Sequence, residues 1–232
     1  MSGIIGLIPA RQNSKRIKNK NIRMLGGKPL LMWSIEVSRM IKDIERTIVS
    51  TDSSEIAEIV EGHADVIIRP KALASDKSID IEYILHFIEY YKLHDMILPE
   101  YIVLLRPTTP FRTPQIVKDA IGTLQRHANA TSLRSVTLLG ESAYKSFKIA
   151  KKGYLEGILK KEYRDPEYHN WPSQMFPKTY KGDGCVDVLR TDNILKTNTM
   201  YGDKMLAMVS PDDTCEIDTE LEFNYLEWVI SS

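Results

Sequence analysis

The run Ile4-Ile5-Gly6-Leu7-Ile8 constrains this chain more than any other feature, because aliphatic residues follow one another there with no polar alternation. Such a run marks a strand covered on both faces, which demands helices above and below its sheet. Pro9 ends it. The loop that follows carries Arg11, Lys15, Arg16, Lys18, Lys20 and Arg23, with Lys28 close behind, and no Asp or Glu precedes Glu36. Seven of the 31 basic residues therefore stand before position 36 with no acid among them.

The far end is the reverse. After Lys204 there is no Lys or Arg, while Asp212, Asp213, Glu216, Asp218, Glu220, Glu222 and Glu227 all occur. A formal net charge of +0 hides this asymmetry. A basic loop after a first strand and an acidic motif elsewhere are what a polyphosphate and its metal ion require.

The rest of the chain reads as alternating strands and helices. Gly26-Gly27-Lys28-Pro29 opens a helix whose apolar face is Leu30, Leu31, Ile35, Val37, Ser38 and Ile41, followed by the strand Thr47-Ile48-Val49-Ser50. Thr51 to Ser54 offers caps for a helix over 55–62, Asp52 among them, and Val66-Ile67-Ile68 is a short strand. A helix over 81–93, a very apolar central strand at 101–105, a helix from Pro114 to His127 and a strand at 135–139 continue the rhythm. This order predicts a mainly parallel, Rossmann-like α/β sheet with helices on both faces and ligands at the carboxyl ends of its strands.

From Gly140 to Lys181 aromatics, prolines and lysines replace the aliphatic strands. A hairpin is predicted from Phe147–Ala150 and Tyr154–Gly157, and Pro166, Pro172 and Pro177 exclude a long helix after it. A disordered linker is the alternative, but the aromatic content favours a projecting arm whose rings need burial on a second subunit. The predicted division is an α/β domain of residues 1–139 and 182–232 with an arm of 140–181 inserted. Strands resume at 185–189 and 205–209, and a last helix covers 219–230.

Composition excludes several classes. Neutral net charge argues against a dedicated nucleic-acid binder, and no run of about 18 apolar residues or basic apolar leader is readable, which predicts a cytoplasmic protein without a membrane partner. Cys185 and Cys215 match no metal or redox spacing and read as free thiols. Neither GxxxxGK[ST] nor GxGxxG occurs, so the usual P-loop and dinucleotide readings fail.

The stretch IPARQNSKRIKNKNI resembles the cytidylyltransferases that activate 3-deoxy sugar acids, above all the CMP-N-acylneuraminate (CMP-sialic acid) synthetases. The resemblance continues, in order, through Gly27-Lys28-Pro29, Ile48 to Asp52, Arg69-Pro70 with Leu73 to Asp76, Leu104 to Arg112 and Glu216 to Leu221. It implies a reaction of CTP with a sugar acid to give a CMP-sugar and pyrophosphate, aided by Mg2+ or Mn2+, in a homodimer built on a small arm. Legionaminate, pseudaminate or an octulosonate is the alternative substrate, and a non-catalytic nucleotide- or RNA-binding module is the alternative of another class.

The same resemblance implies roles for particular residues. Arg11, Lys15 and Lys20 would neutralise the phosphates, Ala10, Ser14, Asn21, Arg69, Ser78 and Asp80 would lie around the nucleotide, and Asp218 with Glu216 would hold the metal. Two residues apart in an extended segment, Glu216 and Asp218 share a side. Arg106, Thr108, Lys148 and Gln174 would face the sugar acid. Asp80 and Arg106 stand where the family has a small hydroxyl residue and Gln, Glu216 stands for Asp, and Asp183-Gly184 replaces Asn-Gly. Asp80 could equally cap its helix, and Arg106 could turn back to Asp183 or Asp187. Arg16, Lys18 and Arg23 read as surface charges, and Glu220 and Glu222 as a solvated helix start.

Overall fold

The computed structural model describes every residue except 160 and 212–214, so Asp212 and Asp213 of the acidic end lie outside the described residues. The chain runs β1 (Ile4–Pro9), α1 (Leu30–Arg39), β2 (Ile44–Thr51), α2 (Ser54–Ile59), β3 (Asp65–Ile68), α3 (Asp80–Leu93), β4 (Tyr101–Leu104), α4 (Pro114–Arg126) and β5 (Ser132–Leu138). After a hairpin of β6 (Phe147–Ile149) and β7 (Leu155–Gly157) come β8 (Tyr180–Arg190), α5 (Thr191–Thr197), β9 (Met205–Val209) and α6 (Glu220–Ser231).

Seven strands form one sheet in the order β9-β5-β8-β4-β1-β2-β3, with β4 at its middle as its apolar sequence predicts. β1 lies parallel to both β2 and β4, and Leu7 is paired with Ile48 and Leu104. Its side chains alternate between two cores. Ile4 and Ile8 meet α1, α2 and α4 on one face, while Ile5 and Leu7 meet α3 and α5 on the other. This is the double burial that the unbroken apolar run demands. Gly6 lets α1 lie close on the strand, since a Cβ there would come within 2.2 Å of Ser38 Oγ.

β8 departs from the parallel pattern by running antiparallel to both β4 and β5. It is entered from the inserted segment and not from a crossover helix, so nothing forces a parallel return. The helix starts also refine the sequence reading. Ser53, not Asp52, caps α2 by accepting from Ile56 N, and the Asp52 carboxylate instead accepts the Gln12 N–H at 2.9 Å. Asp80 is not the cap of α3 either: Ile79 holds that position and Asp80 is the first helical residue.

Within the inserted segment, Tyr144, Tyr163, Tyr168, Trp171 and Phe176 stack edge and face on one another, and Tyr168 and Phe176 are buried. The rings therefore obtain much of their burial from one another within this chain. What remains open is the hairpin, where Ile149 is 78%, Tyr154 71% and Leu155 66% exposed.

Candidate active site

The order of strands reverses direction between β1 and β4, because β1 continues outward to β2 while the chain later returns to β4 on the other side. A crevice outside the carboxyl ends of such a pair is where open α/β sheets place ligands. Here a cleft of ≈ 500 Å³ opens at that point, lined by the loop after β1, the start of α3, the end of β4 and Asp218.

The loop after β1 is fixed from beneath. Asn21 is buried and donates to Arg11 O at 2.8 Å, Ala10 N donates to Ser50 O at 2.9 Å, and Ile17 is buried. Ile17 joins Leu25, Leu30, Ile217, Phe223 and Leu226 in a third small core, which clamps the acidic segment against the basic loop. Ile217 N–H donates to Thr108 O at 2.7 Å, and Lys20 Nζ donates to Ile217 O at 2.8 Å. Asp218, the next residue, is thereby held beside the basic loop, with Arg16 at 3.0 Å and Lys20 at 3.6 Å.

Arg11, Ser14, Lys15, Lys20, Asn21, Arg69, Ser78, Asp80, Arg106, Thr108 and Asp218 all line this one cleft, although they come from five separate parts of the chain. Ala10 does not; its methyl is in the core. Burial lowers the Lys20 pKa from its ordinary value, against the pull of Asp218. Burial likewise lowers that of Arg69, whose Nε and Nη1 find no protein acceptor among the described residues and which lies over the Tyr83 ring at 5.3 Å. Ser78 ties its own loop, its Oγ donating to Ala72 O at 3.0 Å and accepting from Ser75 N at 3.0 Å.

Arg106 turns back to carboxylates. Its Nη1 donates to Asp187 Oδ2 and its Nη2 to Asp80 Oδ2, both at 2.6 Å, and its Nε reaches Asp80 at 3.2 Å. Asp80 and Arg106, two of the positions at which the resemblance is imperfect, are thus partners of each other. Burial works against the Arg106 charge, but Asp187 and Asp80 outweigh it and hold the pKa well above its ordinary value. Asp183 is not a partner of Arg106; its Oδ1 accepts from Ser135 Oγ and from Cys185 N.

Beneath this network Arg112 is fully buried with no ion-pair partner among the described residues, and burial lowers its pKa to about 10. Its guanidinium donates to the carbonyls of Cys185, Gly184 and Arg106 and to Ser34 Oγ. It therefore ties the end of β4 to the irregular start of β8, where the register shifts between Gly182 and Asp187. Gly184 has φ +69°, and a Cβ there would stand 3.0 Å from Glu216 Oε1.

Glu216 is half-buried beside Gly184 and does not line the cleft. Burial first, and the Asp218 charge second, raise its carboxyl pKa. Two crowded carboxylates of this kind fit a hard divalent cation, which accepts oxygen donors and keeps positions for phosphate. Among the described residues no group of three or more metal-ligating side chains gathers, so such a cation would need ligand oxygens as well.

Lys148 and Gln174, expected near the sugar, do not line the cleft. Lys148 pairs across the hairpin with Glu156 at 3.4 Å, and Gln174 is exposed in a 3-10 turn. Conversely, Arg16 and Tyr83 line the cleft without having been singled out for it. Arg16 belonged to the acid-free run, whereas Tyr83 looks like any apolar helix position. Glu222 is a capping residue, accepting from the N–H groups of Asp218 and Thr219, and Glu220 pairs with Arg23.

Residues 5–160 match the cytidylyltransferase family profile. An N-acylneuraminate cytidylyltransferase of Escherichia coli is 30% identical over 222 residues, which are 95% of this chain and 50% of that protein, so the chain spans half the length of that relative. A CMP-N,N'-diacetyllegionaminic acid synthase of Legionella pneumophila is 27% identical, over 97% of this chain and 94% of its own. The fold is also that of CMP:2-keto-3-deoxy-manno-octonic acid synthetase complexed with CTP, at a TM-score of 0.70, 14% identity and 99% coverage of both chains. The family match spans most of the chain and includes the loop after β1 and the end of β4, and on that basis the protein belongs to the cytidylyltransferase family of nucleotidyltransferases.

Proposed function

We propose that this protein transfers CMP from CTP to the anomeric hydroxyl of a sialic-type (nonulosonic) acid and releases pyrophosphate. The observation that carries this reading is the convergence of Arg11, Lys15, Arg16 and Lys20, all from one loop, around a cleft that also holds Asp218. Phosphoryl transfer needs positioning and charge neutralisation more than covalent chemistry by the protein. The Arg11 fork suits two oxygens of one phosphate, and Lys15 and Lys20 act as point charges on the departing pyrophosphate. Arg69, Asn21, Ser78 and Asp80 border the nucleoside, and Arg69 keeps unused N–H groups for an acceptor on it.

Asp218, with Glu216 behind it, would hold Mg2+ or Mn2+, which when bound would further neutralise the phosphate oxygens. The sugar's hydroxyl would approach the α-phosphorus from the side of Thr108 and Arg106. Relatives named for N-acylneuraminate, legionaminic acid and pseudaminic acid support a nonulosonic acid as acceptor. The Arg106 bridge favours one other than N-acetylneuraminate, since it occupies the position at which the sialate members carry a neutral Gln.

The working form is a homodimer joined through residues 140–181. The exposed Ile149, Tyr154 and Leu155 of the hairpin support it, being an apolar surface that water does not favour. Such a dimer also gives Lys148 and Gln174 a route to the other subunit's cleft. Among the described residues no helix is long and apolar enough to cross a membrane, and we place the enzyme in the cytoplasm, where CTP is made.

The test is pyrophosphate release from CTP with a panel of sugar acids. Turnover that requires both a nonulosonic acid and a divalent cation supports the reading. Absence of turnover with every acid, together with retention of RNA, would establish the non-catalytic binding module instead.

A further inference from the structure

Arg11 and Lys15, two of the cations expected to meet the triphosphate, are engaged by a carboxylate of this same chain. Arg11 Nη1 lies 3.1 Å from Asp76 Oδ1 and Lys15 Nζ lies 2.9 Å from Asp76 Oδ2, so one carboxylate spends its two oxygens on two cations. Arg11 Nη1 also donates to Ser75 O at 3.2 Å. Asp76 comes from the other side of the cleft, in the loop that leads into α3.

That loop is built to hold Asp76 there. Ser75 and Ser78 hydroxyls lie 2.9 Å apart, Ser78 N donates to Ser75 O at 3.2 Å, and Lys77 N donates to Ser75 Oγ at 3.3 Å. The tie is local, so Asp76 keeps its place in the loop whether or not Arg11 and Lys15 stay with it. The carboxylate is the only acid paired with either cation among the described residues, and it presents oxygens as a phosphate does. Lys15 is otherwise open, its side chain being 74% exposed.

We infer that Asp76 is a displaceable counter-ion for the triphosphate. It holds Arg11 and Lys15 across the mouth of the cleft, yields them to the phosphates when CTP enters, and takes them back as pyrophosphate leaves. The inference rests on the reading that Arg11 and Lys15 bind the triphosphate. Exposed ion pairs are individually weak, so the carboxylate competes without blocking; removing its charge should tighten phosphate binding by roughly 3- to 10-fold. The same competition makes Asp76 an aid to product release, because a returning carboxylate lowers the affinity for pyrophosphate.

Asp76→Asn keeps the shape and removes the charge. The measurements are the CTP Kd by calorimetry without sugar acid, and the inhibition constant of pyrophosphate in turnover. Both should fall by roughly 3- to 10-fold, while Asp76→Glu stays near the wild type and cytidine binding does not move. The gain should shrink toward none at about 0.5 M salt, where exposed pairs are screened, whereas a change of loop shape would persist. Unchanged or weaker binding of CTP and pyrophosphate by Asp76→Asn would overturn the inference, the weaker case showing Asp76 to be a fixed organiser of the two cations. Failure of the wild-type protein to bind CTP or pyrophosphate at all would overturn the triphosphate reading itself, and the counter-ion with it.

Discussion

Removing Arg106 tests how charge is balanced at the floor of the cleft. Arg106→Gln deletes the link between a fully buried Asp187 and a half-exposed Asp80. Losing one partner of a buried ion pair costs about 3–5 kcal/mol. Two groups soften the loss here, since Tyr201 Oη still donates to Asp187 Oδ2 at 3.1 Å and Arg134 remains 3.7 Å from Oδ1. Asp80, open to water, adds little. We expect a loss of about 2–4 kcal/mol, which for a chain of this size is a fall in Tm of roughly 4–16 °C. Urea or thermal unfolding followed by circular dichroism measures it. Arg106→Gln/Asp187→Asn should recover at least about 1 kcal/mol of the loss, because the second change removes the stranded charge. A single variant that unfolds within about 0.5 kcal/mol of the wild type, or a double variant less stable than the single, would refute the argument that Asp187 depends on Arg106.

Asp218→Asn should lower turnover by at least about 100-fold, the scale of losing one charge that acts in the transition state, and near-normal activity at ordinary magnesium would remove Asp218 from the metal site. For Lys20, burial is the cause of a lowered pKa, so its charge is lost as pH rises through a value below the ordinary 10.5. CTP affinity should therefore decline on an alkaline limb beginning below that value, and Lys20→Arg should shift the limb upward; a limb that stays in place assigns it to another group. Ile149→Glu with Leu155→Glu should turn a dimer into a folded monomer in sedimentation at micromolar concentration, and a wild-type protein that sediments as an active monomer contradicts the dimer.

The local grammar of the fold was legible in the chain. An apolar run such as Ile4 to Ile8 can only be satisfied between two layers of helices, and the alternation of strands and helices then leaves few topologies. The charge asymmetry was legible too, because clustering of Arg11, Lys15, Lys20 and their neighbours is a property of adjacent residues.

Pairings between distant residues were decided only by the tertiary structure. No local rule says that Asp76 meets Arg11 and Lys15, or that Arg106 bridges Asp80 and Asp187, since each depends on which strand ends become neighbours in the sheet. The antiparallel course of β8 was hidden for the same reason: strand direction depends on how the inserted segment returns to the sheet. Arg112 reads as an ordinary basic residue after Pro110, and only folding around it puts a guanidinium where carbonyl groups, not water, must satisfy it. Sequence determined where the basic and acidic residues cluster along the chain; packing decided which of them are held together, because a charge acts over distance in space and not along the chain.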